Sequence, residues 1–407
     1  MTIELNMIQS LGLAVVFLLV GKAIKKHFSF FSKYAIPSPV IGGLMFSIVH
    51  MILKQNNVIL FEFDTTLQTF FQTMFFCTVG FNASFKMLKV GGKKIVIFLL
   101  ISVVFAILQN VLAVGLAETV GINPLLALLT ASPALTGGHG TSAAVAPSIE
   151  ALGYPEALTV GLTAATFGVI AGSLIGSPMA NRLIIKHDLV NKKKSAPSDD
   201  VDFDLSIIEN KKSKLDVDKV SMAFFQILIA MALGTYLTDA LNNFFGHMLA
   251  GVNFPAYLGS MVIAAIMRNI SDNTNIFKTP LEEVEVVGEV SLSLFLGMAL
   301  VTLKLWHLVD LAIPMLILLI AQCVMMYLYG MFVSYRLMGK NYDSAVMVAG
   351  LTGFGMGSTS NAMANMNSIT DKYIPSRTAY FIVPIVGSLF IDFINIAIIY
   401  GFISFLS

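Results

Sequence analysis

The sequence predicts an all-α membrane protein: about ten transmembrane helices in two inverted repeats of five, each repeat carrying a re-entrant hairpin. Three observations predict it. The chain is 56% apolar and only 12% charged, against about a quarter charged in a soluble protein, and its mean hydropathy is +0.81. The apolar residues fall in blocks of roughly twenty, such as 95–115 and 315–333, the length of a bilayer-crossing helix. One glycine-rich pattern also recurs at a nearly constant offset between the two halves of the chain.

Taken in order, ten spans are expected at 8–25, 39–54, 66–83, 94–117 and 157–185, then 221–240, 255–270, 287–305, 308–335 and 376–402. Backbone polar groups inside lipid must be satisfied internally, so such blocks read as helices. They lack the alternation of a membrane barrel. Two further segments, 122–149 and 340–370, are apolar but rich in Gly, Ser, Thr and Asn, and are expected to be broken rather than continuous helices. The chain thus divides into an N-terminal repeat (1–186), a polar linker (187–220) and a C-terminal repeat (221–407). The linker holds Lys192-Lys193-Lys194, Pro197, Asp199-Asp200 and Lys211-Lys212 and is expected to be partly disordered.

Net charge of +1 gives no reason to expect a nucleic-acid partner; membrane lipid is the expected surroundings. Cys77 and Cys323 both lie in spans and form no disulfide framework or zinc site. No cofactor is expected. Glu4 is the only charge before the first apolar run, which argues for a first span that stays in the protein rather than a cleaved signal.

Orientation follows from Lys and Arg, which favour cytoplasmic loops. With the N-terminus outside and both broken segments entering and leaving on one side, only Lys54 and Lys304 of the 25 basic residues lie outside. A full crossing by either broken segment would move every later loop and degrade the sorting. Both termini are therefore expected outside and the linker in the cytoplasm.

The repeat is read from matched positions. Gly80 and Gly140 are 60 residues apart, as are Gly297 and Gly357. Pro39 and Gly43 match Pro255 and Gly259; Gly121 and Asn123 match Gly339 and Asn341; residues 172–174 and 387–389 both read Gly-Ser-Leu. Five crossings are an odd number, so the second repeat runs inverted, and its hairpin enters from the opposite side. Corresponding broken segments in inverted repeats point to a transporter's binding site.

The first segment carries Thr136-Gly137-Gly138-His139-Gly140-Thr141; the second carries Gly355, Gly357, Ser358, Thr359 and Asn361, then Asn365. Glycine admits sharp turns and close ligand approach. Amides at the start of a half-helix attract an anion, and loose carbonyls suit a sodium ion. The pair can hold a carboxylate and a cation with few formal charges. The alternative is that the small residues only let helices pack closely. Asp392, with Asn395 three residues on and on the same helix face, is a carboxylate at membrane depth and so a functional candidate. It could ligate sodium, carry a proton, or pair with a backbone amide or Arg377. His139 could touch substrate or serve as a hydrogen-bonding group. Gln109, Asn110 and Asn82 read as helix bridges, and Arg377 as an interface anchor.

Six motifs carry a resemblance over nearly the whole chain: Ile36-Pro-x-Pro-Val-x-Gly-Gly43, Leu135-Thr-Gly-Gly-His-Gly-Thr141, Val290-Ser-Leu-Ser-Leu-Phe-Leu296, Met338-Gly-Lys-Asn-Tyr-Asp343, Gly353-Phe-Gly-x-Gly357 and Phe390-Ile-Asp-Phe-Ile-Asn395. The chain resembles the bacterial sodium/glutamate symporters. The resemblance implies sodium-coupled import of L-glutamate, no enzymatic activity, a homodimer in the bacterial inner membrane, and an elevator motion of one bundle against another. A related family with similar hairpin motifs carries citrate and other hydroxycarboxylates, so another anion is the nearest rival; an intramembrane enzyme or a channel is remoter. On this footing Thr136–Thr141, Gly355, Gly357, Ser358 and Thr359 are expected to bind substrate, and Asp392, Asn395 and Asn361 the sodium. Glu289 departs from the family pattern, in which asparagine is expected. An acidic residue there would alter a cation site or face the cytoplasm.

Overall fold

The computed structural model describes residues 2–33, 36–86, 92–195, 216–245, 254–274, 276–307 and 311–407. Helices stand at each of the ten positions expected of spans. Six are long and apolar enough to cross a membrane: Met7–His27, Gly92–Val120, Ala157–His187, Val217–Phe245, Leu281–Val301, and Ala312–Tyr329 with its continuation. A seventh is the bent pair formed by Arg377–Ile385 and Ile391–Leu406, whose junction is a π-helical turn, Val386–Phe390. The remaining three, Ser38–Gln55, Thr66–Asn82 and Ala256–Asn273, are only 17 or 18 residues long. The chain is a helical, multi-pass membrane protein.

Large apolar side chains on these helices point out of the protein: Val16, Leu19, Leu100, Ile229 and Val324 are each more than half exposed. In water that surface would be unfavourable; against lipid tails it costs nothing. The inward faces carry small residues that let backbones meet. Gly42 abuts the Phe17 carbonyl in the packing of Met7–His27 on Ser38–Gln55, and Gly259 abuts the Gly234 carbonyl in the packing of Val217–Phe245 on Ala256–Asn273.

The fold is helical, with one short strand pair that the sequence reading did not expect: Thr2–Leu5 pairs in parallel with Leu60–Phe63. Two long helices, Met7–His27 and Ser38–Gln55, and the short Ser29–Lys33 separate these strands in sequence, so the parallel pairing brings both strands to one end of the molecule. The linker's described ends are helical: Leu189–Ser195 follows the Ala157–His187 helix, and the next span starts at Val217. Pro197, Asp199-Asp200 and Lys211-Lys212 lie outside the described residues.

The two glycine-rich segments begin alike. Gly121 and Gly339 both have positive φ, +74 and +108. Asn123 and Asn341 then cap the following helices by accepting from Leu125 N and Ser344 N. Beyond the caps they differ. The first is in three pieces, Pro124–Leu128, Ser132–Leu135 and Gly138–Glu150. The second is in two, Tyr342–Gly355 and Thr359–Thr370, packed on each other. Both lie against the Ala157–His187 helix.

Candidate functional site

The breaks in the two segments meet. The first turns at Gly138, with φ +67; a side chain there would come 3.1 Å from the Gly357 carbonyl oxygen. The second turns over residues 356–358. Ser358 is extended and caps Thr359–Thr370, its Oγ accepting from Asn361 N. Between the breaks lies a cavity of about 180 Å³, smaller than a drug-sized pocket and suited to a small organic ion.

Ten of the predicted residues line this cavity: Thr136, Gly137, Gly138, His139, Gly140, Thr141, Gly357, Ser358, Thr359 and Asp392. The helices starting at Gly138 and Thr359 both present their N-terminal ends to it. There the first N–H groups lack intrahelical acceptors and the helix dipole is positive. Apolar side chains close the walls, among them Phe75, Val79, Leu292 and Phe354. Asp392 takes part in neither of the two ion pairs found among the described residues, so the expected alternative of pairing with Arg377 does not occur; Arg377 is exposed.

His139 is nearly buried and its Nε2 lies 3.0 Å from Thr166 Oγ1. The Thr166 hydroxyl spends its one proton on the Leu162 carbonyl, so it accepts from His139, which fixes the proton on Nε2. Thr166 gave no signal in the sequence because it sits mid-helix, 27 positions away.

Three predicted residues stand apart from the cavity. Gly355 offers its carbonyl to Gln109 Nε2 at 2.8 Å. Asn361 donates to the Val169 carbonyl and Ser173 Oγ, and its Oδ1 accepts from Ser358 Oγ. Asn395 is fully buried and donates from Nδ2 to the Ser132 carbonyl at 3.1 Å, while its Oδ1 has no partner. That bond fixes the amide's orientation, so the orphaned atom is an acceptor. Glu289 is exposed and does not line the cavity.

Gln109 and Asn110, read as helix bridges, do more than join helices. Gln109 Oε1 accepts from Thr136 Oγ1 at 2.7 Å while its Nε2 reaches Gly355, tying both breaks to one side chain. Asn110 Oδ1 accepts from Ser132 N at 3.0 Å. Both residues are fully buried.

Sequence comparison fixes the family. The profile described as sodium/glutamate symporter matches residues 3–375. The chain belongs to the sodium/glutamate symporter family. It is 38% identical over 399 residues to the sodium/glutamate symporter of Escherichia coli (strain K12), covering 97% of each chain. It is 35% identical over 394 residues to that of Haemophilus influenzae, covering 96% of this chain and 95% of the relative. Sodium/glutamate symporters are transporters, not enzymes.

Proposed function

We propose that this chain imports L-glutamate together with sodium across the bacterial inner membrane, by alternating access of the cavity between the two breaks. The observation that carries this reading is the meeting of two helix N-termini, at Gly138 and Thr359, in one cavity with Asp392. Glutamate brings two carboxylates and one ammonium. The N-terminal amides and the Thr141 hydroxyl offer donors to the carboxylates; Thr136, Ser358 and Thr359 line the cavity but donate to Gln109 Oε1, Asn361 Oδ1 and the Gly387 carbonyl. Asp392 and the unpartnered Oδ1 of Asn395 are oxygens suited to sodium; the Oδ1 of Asn361 could join them only by giving up its bond from Ser358 Oγ. An ion whose site completes that of the substrate raises its affinity, and the effect is reciprocal.

In this reading the broken segments are re-entrant hairpins entering from opposite faces of ten spans in two inverted repeats. The matched positive-φ glycines, the matched Asn caps and the matched approaches at Gly42 and Gly259 support it. The second helix of each half also packs on the third helix of the other: Ser38–Gln55 on Leu281–Val301, and Ala256–Asn273 on Thr66–Asn82. Both termini lie outside and the linker inside, in keeping with the parallel pairing of Thr2–Leu5 and Leu60–Phe63 across the two long helices between them. The working unit is a homodimer, with elevator motion of one bundle.

Proteoliposomes with purified protein test this. Labelled L-glutamate should accumulate under an inward sodium gradient and not under a proton or lithium gradient. Sodium-independent accumulation would overturn the coupling. Stronger competition from citrate or malate than from unlabelled glutamate would overturn the substrate.

A further inference from the structure

A second, larger cavity of about 770 Å³ opens between the end of Ser38–Gln55, the strand Leu60–Phe63, the start of Thr66–Asn82, the end of Gly138–Glu150 and the loop after Leu281–Val301. Its lining includes both Lys54 and Lys304, the two basic residues that the charge count leaves outside. Neither takes part in an ion pair among the described residues. Lys54 Nζ lies 3.4 Å from the centre of the Trp306 ring, which holds the ammonium by a cation–π contact without neutralising it. Glu62 and Glu150 line the same space, so the cavity offers two ammoniums and two carboxylates.

Two buried side chains in the lining are left incomplete. His50 is 3% exposed and its Nε2 accepts from Phe61 N at 3.1 Å. A ring nitrogen that accepts carries no proton, so in the neutral ring the proton is on Nδ1; Nδ1 has no partner. Gln68 is 8% exposed and its Oε1 has no partner. A donor and an acceptor are thus unanswered beside a mixed set of charges.

The cavity also joins the first break mechanically. Helix Gly138–Glu150 lines the smaller cavity with Gly138–Thr141 and the larger with Pro147 and Glu150. Nine residues separate Gly138 from Pro147, a rise of roughly 14 Å along the helix axis. Gln72, in the larger lining, donates to the Ala144 carbonyl of that same helix at 3.4 Å.

We propose that this cavity is an external capture site for an α-amino dicarboxylate on its way to the breaks. Lys54 and Lys304 meet the two carboxylates, Glu62 or Glu150 meets the α-ammonium, and His50 and Gln68 supply the neutral contacts. The proposal rests on the glutamate reading and on the outward placement of this face. With two ammoniums and two carboxylates the cavity has no net charge to steer by; it would hold the ligand by matched charge-assisted contacts.

The test compares unmodified protein with the Lys54→Gln, Lys304→Gln double variant in proteoliposomes. The KM for glutamate should rise at least about tenfold, the size of one lost hydrogen bond to a charged group, with the effect carried in KM and not in kcat. The sodium half-saturation should stay put, and Lys54→Arg with Lys304→Arg should restore most of the KM. In a second measurement, an impermeant thiol reagent should label Lys54→Cys from outside, and glutamate in sodium-free buffer should slow that labelling. An unchanged KM in the double variant, or labelling indifferent to glutamate, overturns the capture site while leaving glutamate import standing. Absence of sodium-driven glutamate uptake in the unmodified protein instead overturns the functional reading itself.

Discussion

The first break turns on backbone and the second on a side chain. At Gly138 the chain takes φ +67 with no side-chain cap on the helix that follows. Over residues 356–358 no non-glycine residue has positive φ, and the Ser358 hydroxyl closes the turn onto Asn361 N. The supports differ too. Gly92–Val120 reaches both breaks through Gln109 but adds Asn110 only at the first; Ala157–His187 reaches the first through Thr166 and the second through Asn361 and Asn365. Two apices facing one cavity therefore carry different tolerances. Both leave little room for a Cβ at their glycines, Gly138 and Gly357, but only the first also demands a positive φ, and only the second closes on a capping side chain, at Ser358.

The largest effect expected from that contrast is at Gly138. A left-handed conformation costs an alanine about 1–2 kcal/mol, and the added methyl meets the Gly357 carbonyl oxygen at 3.1 Å. Gly121 is the control, with φ +74 but nothing within 4 Å of an added methyl. Gly138→Ala should lower sodium-driven glutamate uptake more than about tenfold, and Gly121→Ala less than about threefold, since 1.4 kcal/mol is one decade. Equal losses would mean that strain alone, and not the approach of the two breaks, governs the first apex.

Next in size is Gln109→Leu. It removes a side chain that bonds to both breaks and takes from the buried Gly355 carbonyl its nearer donor, leaving the 3.4 Å approach of Thr136 Oγ1. An unsatisfied buried group costs about 1–3 kcal/mol. Thermal stability in detergent should fall, and the affinities for glutamate and sodium should weaken together. A change confined to one ligand would show that the bridge serves one break only.

How much of this was legible in the sequence follows from how each feature is written there. Glycine runs and matched offsets survive in a linear chain, so the two segments and ten of the cavity's lining residues could be named. Asp392 was visible because a carboxylate among apolar residues has few structural uses. Gln109 was seen but underrated: its position on a helix shows that it bridges, not that it bridges to both breaks 27 and 246 residues away. Thr166 and Phe75 were invisible because threonine and phenylalanine in spans normally pack. The strand Thr2–Leu5 was missed because four residues carry too little periodicity to separate strand from loop. Gly355 and Asn361 share the motif of the second segment, and only the path of the backbone shows that their polar atoms turn to Gln109 and to Ala157–His187.

Asn361 and Asn395 sharpen the contrast further, because one amide is committed and the other is not. Asn395→Ala should raise the sodium half-saturation about 5- to 20-fold, within the usual span of a coupling energy, through loss of an orphaned acceptor. Asn361→Ala should lower thermal stability through loss of its bonds to Val169 and Ser173. A large rise in sodium half-saturation for Asn361→Ala would make its Oδ1 an ion ligand and transfer part of the site to the second break.

The smallest effect is expected at Ser358, where capping and ligand contact coincide. Its hydroxyl accepts from Asn361 N and donates to Asn361 Oδ1, so it has little proton left for a substrate. If capping is its task, Ser358→Ala should cost about 1 kcal/mol, the usual value of an N-cap, and lower uptake by about fivefold at most. Ser358→Thr should be close to neutral, because threonine caps nearly as well. Ser358→Asp separates the two roles: aspartate caps as well as serine does, but its charge stands where a carboxylate is proposed to bind. Retained stability with a sharply raised KM for glutamate would locate the anion at the second break. Retained stability with an unchanged KM would move it to the backbone amides of the first, where Gly138 leaves the turn bare of side chain.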